Sequence, residues 1–277
     1  MKTDTRLSRK NFWIIALNST SAFVLAYLMV FYINHFTKLV MASMFNIPVA
    51  FDWDQVYYYI EGYQWTHDMV TTIFSAGILL VFIFGVIAFG AFWALKEEVT
   101  RLKIFFLWFS LLSFNFFFGN LLIGNIFTRG IGYVFQWAYL SDTAKVVIAM
   151  LGFFGLILTA FVLKRPFLLS SNSYFTVLKE RNFPFFFMAQ VVVPYVLGSF
   201  ISVCYFFPRI LFQERYSWIS LGVVLLIMFL GINQEESVVF DPDEPPPPVT
   251  VSKVLVIAAI VVFVGFRIAF SQRLNFF

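Results

Sequence analysis

The side chains able to do chemistry in this chain are few, and most are amides rather than acids or nucleophiles. Asn18 and Ser21 share a helical face inside a hydrophobic run, and Asn115 and Asn120 recur along another that ends at Arg129. Gln190 precedes Pro194 by four residues, and Arg267 interrupts the last apolar stretch. Amides and hydroxyls at membrane depth either bridge to a neighbouring helix or line a small polar pocket, because an unpartnered polar group in hydrocarbon is costly. Packing is the first reading for Asn18 and Ser21. It is also the first reading for Asn115, Gly119 and Gly124, where small residues admit a second backbone. Any ligand site is expected near Asn115, Asn120 and Arg129. Pro194 is predicted to kink its helix beside Gln190. Arg267 sits close enough to a helix end to snorkel to the interface, with a buried counter-ion or lipid headgroup as the alternative.

His35, His67, Asp52, Asp54 and Asp68 fall in or beside one predicted loop, so a metal site can be drawn there. Asp52-Trp53-Asp54 and His67-Asp68 lack ligand spacing, however, and neither a metal nor a cofactor is expected. The sequence contains no His-Glu-x-x-His, no Gly-x-Ser-x-Gly and no phosphate-cradling glycine loop ending in lysine. No acid falls within a predicted span, which removes the usual carboxylate relay. The lone Cys204 excludes a multi-cysteine cluster. No catalytic residue is assigned.

These residues are carried by an unusually apolar chain. It has 277 residues, 61% hydrophobic and 21% aromatic, with 40 Phe against 19 basic and 15 acidic side chains. A soluble surface needs about twice that charged fraction, so a soluble enzyme and a nucleic-acid binder are excluded. Charge-free stretches long enough for about 30 Å of hydrocarbon predict an all-α, polytopic bundle of about seven membrane helices in one domain. The spans fall near 12–34, 71–95, 104–127, 146–163, 184–207, 217–234 and 254–271. The first reads as a retained anchor, since its apolar run outlasts a signal peptide.

Basic residues favour one set of alternate loops by about two to one, which predicts a cytoplasmic N-terminus. Residues 36–45 have the periodicity of a short amphipathic helix lying on the outer surface. Residues 235–253 read as an acidic, proline-rich cytoplasmic spacer. Tyrosine and tryptophan clusters in the outer loops fit a headgroup-depth belt.

The functional expectation is a non-catalytic integral membrane subunit or scaffold, in contact with the lipid bilayer and with other integral membrane proteins. A bacterial inner membrane is the expected location. The second reading is a carrier or channel for a small uncharged or lipid-like solute, with Asn18, Asn115, Asn120 and Gln190 converging on one cavity. A third is a lipid-acting enzyme built on the outer histidines and aspartates.

Overall fold

Helix dominates because the long apolar runs must satisfy their own backbone polar groups. The computed structural model describes residues 8–209, 212–232, 238–239 and 249–276. Lys2, Arg6 and most of the acidic proline-rich spacer lie outside the described residues. Helix α1 covers Arg9–Met44, α2 His67–Ala94, α3 Leu102–Gly119, α4 Ile131–Trp137 and α5 Asp142–Leu169. Helices α6 (Phe183–Phe187) and α7 (Val193–Phe206) follow, then α8 (Phe212–Gly231) and α9 (Lys253–Ala269). Among the described residues, five stretches are long and apolar enough to cross a membrane: Arg9–Met44, His67–Ala94, Leu102–Gly124, Asp142–Ser173 and Glu180–Phe206.

Helix α1 is the axis of the bundle. Its most apolar window is 83% buried, against 33% for α2 and α5, and α2, α3, α7 and α9 pack around it. The sequence explains the choice, because the consecutive Asn18, Ser19, Thr20 and Ser21 lie well inside this span and are all buried. Such a run belongs against protein rather than lipid. The outward faces are apolar: Leu151, Phe154 and Leu158 of α5 and Val254, Val261 and Ile268 of α9 are each more than half exposed.

The connections gather at two ends. At the end where α1 begins, here termed proximal, Asn172 Nδ2 donates to the Lys96 carbonyl at 2.6 Å and Ser173 Oγ to the Thr100 carbonyl at 2.9 Å. Asn18 Nδ2 reaches the Thr250 carbonyl at 3.0 Å, beside the start of α9. At the distal end β1 (Val49–Phe51) pairs antiparallel with β2 (Val56–Tyr58) and with β5 (Leu274–Phe276), in the order β2-β1-β5. A second small sheet joins β3 (Val177–Leu178) to β4 (Val238–Val239), the only described part of the predicted spacer before residue 249.

Two expectations need correction. Strictly all-α is too narrow, since the distal end carries a three-stranded sheet. Residues 36–45 are not a separate interfacial helix but the last turns of α1, whose 36 residues reach about 54 Å at 1.5 Å per residue. No proline or glycine breaks the run between Ile33 and Met44. Pro194 lies within a run that stays helical from Phe183 to Phe206, just after a five-residue π turn, Met188–Val192; its missing N–H leaves the carbonyl four residues back, that of Gln190, open to another donor.

Candidate functional site

The distal end is held by a turn that Asp52 organises. Its Oδ1 accepts from the backbone N–H of Asp54 at 3.1 Å and of Gln55 at 3.2 Å, and its Oδ2 from the Tyr57 hydroxyl at 2.9 Å. This is the Asx geometry in which a short acid replaces a backbone acceptor. Arg209, arriving from the end of α7, lies 3.2 Å from Asp52 and 3.8 Å from Asp54. Burial and the neighbouring Asp52 carboxylate push the Asp54 carboxyl up to about 7, against the pull of Arg209. Burial opposes ionisation of Asp52 as well, but hydrogen bonds from the Tyr57 hydroxyl and the backbone amides of Asp54 and Gln55 hold its carboxyl below the usual range.

Arg267 completes this end. Its guanidinium lies 3.6 Å from the Trp53 ring centroid and donates to the Phe207 carbonyl at 3.2 Å. The arginine thus stacks on an indole, a favourable use of its flat, weakly hydrated head.

Beside the turn lies a cavity of about 570 Å³, walled by α1, β2, α2, α4 and the turn before α4. His35 and Lys38 of α1 face Arg129 and Tyr133 across it, with Tyr58 and Trp137 among the other walls. Lys38 is buried while Arg129 is exposed. His35 Nδ1 is 2.9 Å from the Phe31 carbonyl, and its ring lies over Phe31 with centroids 4.1 Å apart. Arg129 donates to the Tyr133 hydroxyl at 3.3 Å. Gly130 makes the turn possible, having φ 53°, a conformation that costs glycine no steric penalty. Burial raises the Tyr58 phenol pKa, and its hydroxyl meets no hydrogen-bond partner among the described residues.

The anticipated ligand region is present only in part. Asn115, Asn120 and Arg129 do line one cleft between α3 and α8, but it measures about 20 Å³, room for about one water. Asn115 spans it to α8: its Nδ2 donates to the Ser217 carbonyl at 3.1 Å, and its Oδ1 accepts from Ser220 at 3.0 Å. Asn120 donates to Phe116 of its own helix at 2.7 Å, from within the π turn Asn120–Gly124 that extends α3. Gly124 receives the adjoining loop and the start of α4: its carbonyl accepts from the Arg129 N–H at 2.8 Å, and a Cβ on Gly132 would collide with it.

Asn18 and Gln190 are elsewhere. Asn18 is saturated, donating to the Tyr174 hydroxyl at 3.1 Å and to Thr250, and accepting from the Ser252 N–H at 2.7 Å. Ser21 bonds back to Leu17 at 2.9 Å. Gln190 is fully buried in its π turn. Its carbonyl accepts from Ser19 at 2.5 Å while Ser19 accepts from Trp108 Nε1 at 2.7 Å. Among the described residues neither amide atom of Gln190 has a partner. The convergence of Asn18, Asn115, Asn120 and Gln190 on one cavity is therefore not what the bundle builds.

Nor are the outer histidines and acids assembled. His67 Nδ1 lies 3.0 Å from the Trp137 carbonyl, and among the described residues no three His, Cys, Asp or Glu side chains form a group able to hold a metal. Sequence reasoning missed two features. Lys103, which directly precedes the predicted span 104–127, is buried and donates to Asn172 and to the Glu98 carbonyl at 2.7 Å. The Tyr32–Tyr205 hydroxyl pair joins α1 to α7; aromatic residues in two spans gave no signal that their polar tips would meet.

The fold defines a multi-pass membrane protein by the length and apolarity of its helices. No protein-family model, curated protein or solved structure matches the chain.

Proposed function

We propose that the chain is a non-catalytic, seven-crossing membrane protein serving as a subunit or scaffold for other integral membrane proteins. The observation that carries this reading is the use made of its polar groups at membrane depth. Asn115 ties α3 to α8, and the Trp108–Ser19–Gln190 carbonyl chain ties α3, α1 and the π turn together. Groups consumed in stitching build a fixed frame rather than a solute path. The apolar outward faces of α5 and α9 supply surface for neighbours that share the bilayer.

Seven crossings are supported by the way connections alternate between the two ends, with α8 and α9 as the sixth and seventh passes. Helix α9 has 17 residues, about 25 Å at helical rise, short enough to require slight thinning or snorkelling at its ends. The excess of basic residues in the proximal connections supports a cytoplasmic N-terminus, and short loops fit a bacterial inner membrane. Extraction in mild detergent with native co-purification tests the assignment. A stoichiometric integral membrane partner is expected; a chain recovered from native membranes solely as a monomer counts against a subunit role.

The second reading, binding of a lipid-like solute, is favoured by the distal cavity. Its volume falls within the range of ordinary small-molecule sites, about 300–1,000 Å³.

A further inference from the structure

One wall of the distal cavity carries a histidine nitrogen with nothing to bind. His35 lines the cavity and is 6% exposed. Its Nδ1 lies 2.9 Å from the Phe31 carbonyl. A carbonyl only accepts, so Nδ1 carries the ring proton and the neutral ring offers Nε2 as an acceptor. Nε2 meets no hydrogen-bond partner among the described residues. Unlike the Tyr58 hydroxyl, it is not sealed from water. The Phe31 ring, stacked on the imidazole, fixes its orientation.

The remaining walls decide what a donor to Nε2 is attached to. Trp65 packs on Phe74 with ring centroids 6.0 Å apart, and Phe74 on Tyr133 at 5.3 Å. Trp137 adds a fourth ring, and all four are half-buried. Such a wall gains most from a flat ring laid along it. An anion would set its charge against the Nε2 lone pair. A cation would meet Arg129 and no acid among the described lining residues. A sugar would set several hydroxyls against a wall that is largely ring surface, and each one left unpaired is costly. A neutral aromatic ring with a hydroxyl meets none of these objections.

We propose that the distal cavity binds a lipid-soluble phenol, its hydroxyl donating to His35 Nε2 and its ring lying along the aromatic wall. This names the class of solute for the second functional reading above and rests on that reading. The cavity, about 570 Å³, has room for the ring and part of an alkyl substituent.

The full chain, purified in a neutral detergent, is titrated with para-hexylphenol and separately with para-hexylanisole. The anisole is the methyl ether of the same ring and has no hydroxyl to donate. Tryptophan emission, excited at the red edge where neither ligand absorbs, follows occupancy, since Trp65 and Trp137 line the cavity. Both ligands are expected to give a saturable change, the phenol binding about fivefold more tightly, the worth of one neutral hydrogen bond. His35→Phe keeps a ring and removes Nε2, so phenol and ether should then bind alike. Partition into the micelle is the same for parent and variant and drops out of that comparison. If His35→Phe fails to fold, the parent ratio still decides, once corrected for partition of each ligand into protein-free micelles. Equal saturable binding of phenol and ether by the parent, or a preference that survives in His35→Phe, overturns the phenol assignment and leaves the lipid-like solute reading standing. Absence of saturable binding by either ligand overturns both.

Discussion

Gly152→Ala is the sharpest test of the packing. A Cβ built on Gly152 of α5 would lie 2.7 Å from the Phe118 carbonyl oxygen and 2.8 Å from the Leu122 nitrogen. Both obstacles are backbone, at the place where α3 opens into its π turn, so no rotamer change relieves them. The two helices must separate or the turn must rewind. Overpacking of this kind costs about 1–3 kcal/mol, set against a gain of up to about 1 kcal/mol from the better helix former. Gly90→Ala in α2 supplies the control, because a Cβ there meets nothing within 4 Å. The two substitutions add the same methyl to a membrane helix, so their difference isolates the contact at about 2 kcal/mol. Thermal loss of the monodisperse peak in detergent reads it out. Gly152→Ala should melt several degrees below Gly90→Ala. Coincident melting would refute the close approach of α5 to the π turn.

Two further outcomes follow from side chains rather than backbone. Gln190→Leu should raise the melting temperature by the equivalent of about 1 kcal/mol, because two buried polar atoms without partners among the described residues are replaced by apolar ones; a clear loss of stability would mean that the amide serves a bound water or solute. Asp54→Asn should abolish a pH dependence. The Asp54 carboxyl rises from 3.8 to about 7 on folding, so its contribution is fully present below 3.8 and is lost as pH climbs towards 7. Asp52 shifts the other way and loses its contribution only as pH falls below the ordinary carboxylate value. The stability difference between the parent and the Asn variant should therefore move against the parent as pH rises from 4 to 7, a comparison in which the other titrating groups cancel, and a constant difference would remove Asp54 as the cause.

The legible parts of the molecule are those governed by a single dominant energy. Hydrocarbon tolerates only self-satisfied backbone, so uncharged runs located the helices, and α9 at Lys253–Ala269 lies close to the predicted 254–271. Boundaries were harder where a charge was taken to mark them. Helix α5 continues through Lys164, Arg165 and Pro166 to Leu169, because a long basic side chain can leave its backbone below the interface. The polar residues could be picked out from the sequence, but their partners could not. Asn115 finds Ser217 and Ser220 about a hundred residues away, and nothing in periodicity specifies which helix stands beside which.

The π turns expose the deeper reason. Asn120 and Gln190, chosen from sequence as amides in apolar surroundings, each lie inside one. A π turn shifts carbonyls out of their i→i−4 register and is retained mostly where the widened backbone has a use. At Gln190 that use is visible: the carbonyl receives Ser19, which in turn holds the indole of Trp108. The amide side chain and the irregular backbone are therefore two signs of one local arrangement, of which sequence displays only the first. By the same logic the distal cavity was not foreseen. Lys38, Tyr58, Arg129 and Trp137 come from four separate segments, each unexceptional alone. Only the β2-β1-β5 sheet and the extra turns of α1, both absent from the predicted architecture, bring them to face one another.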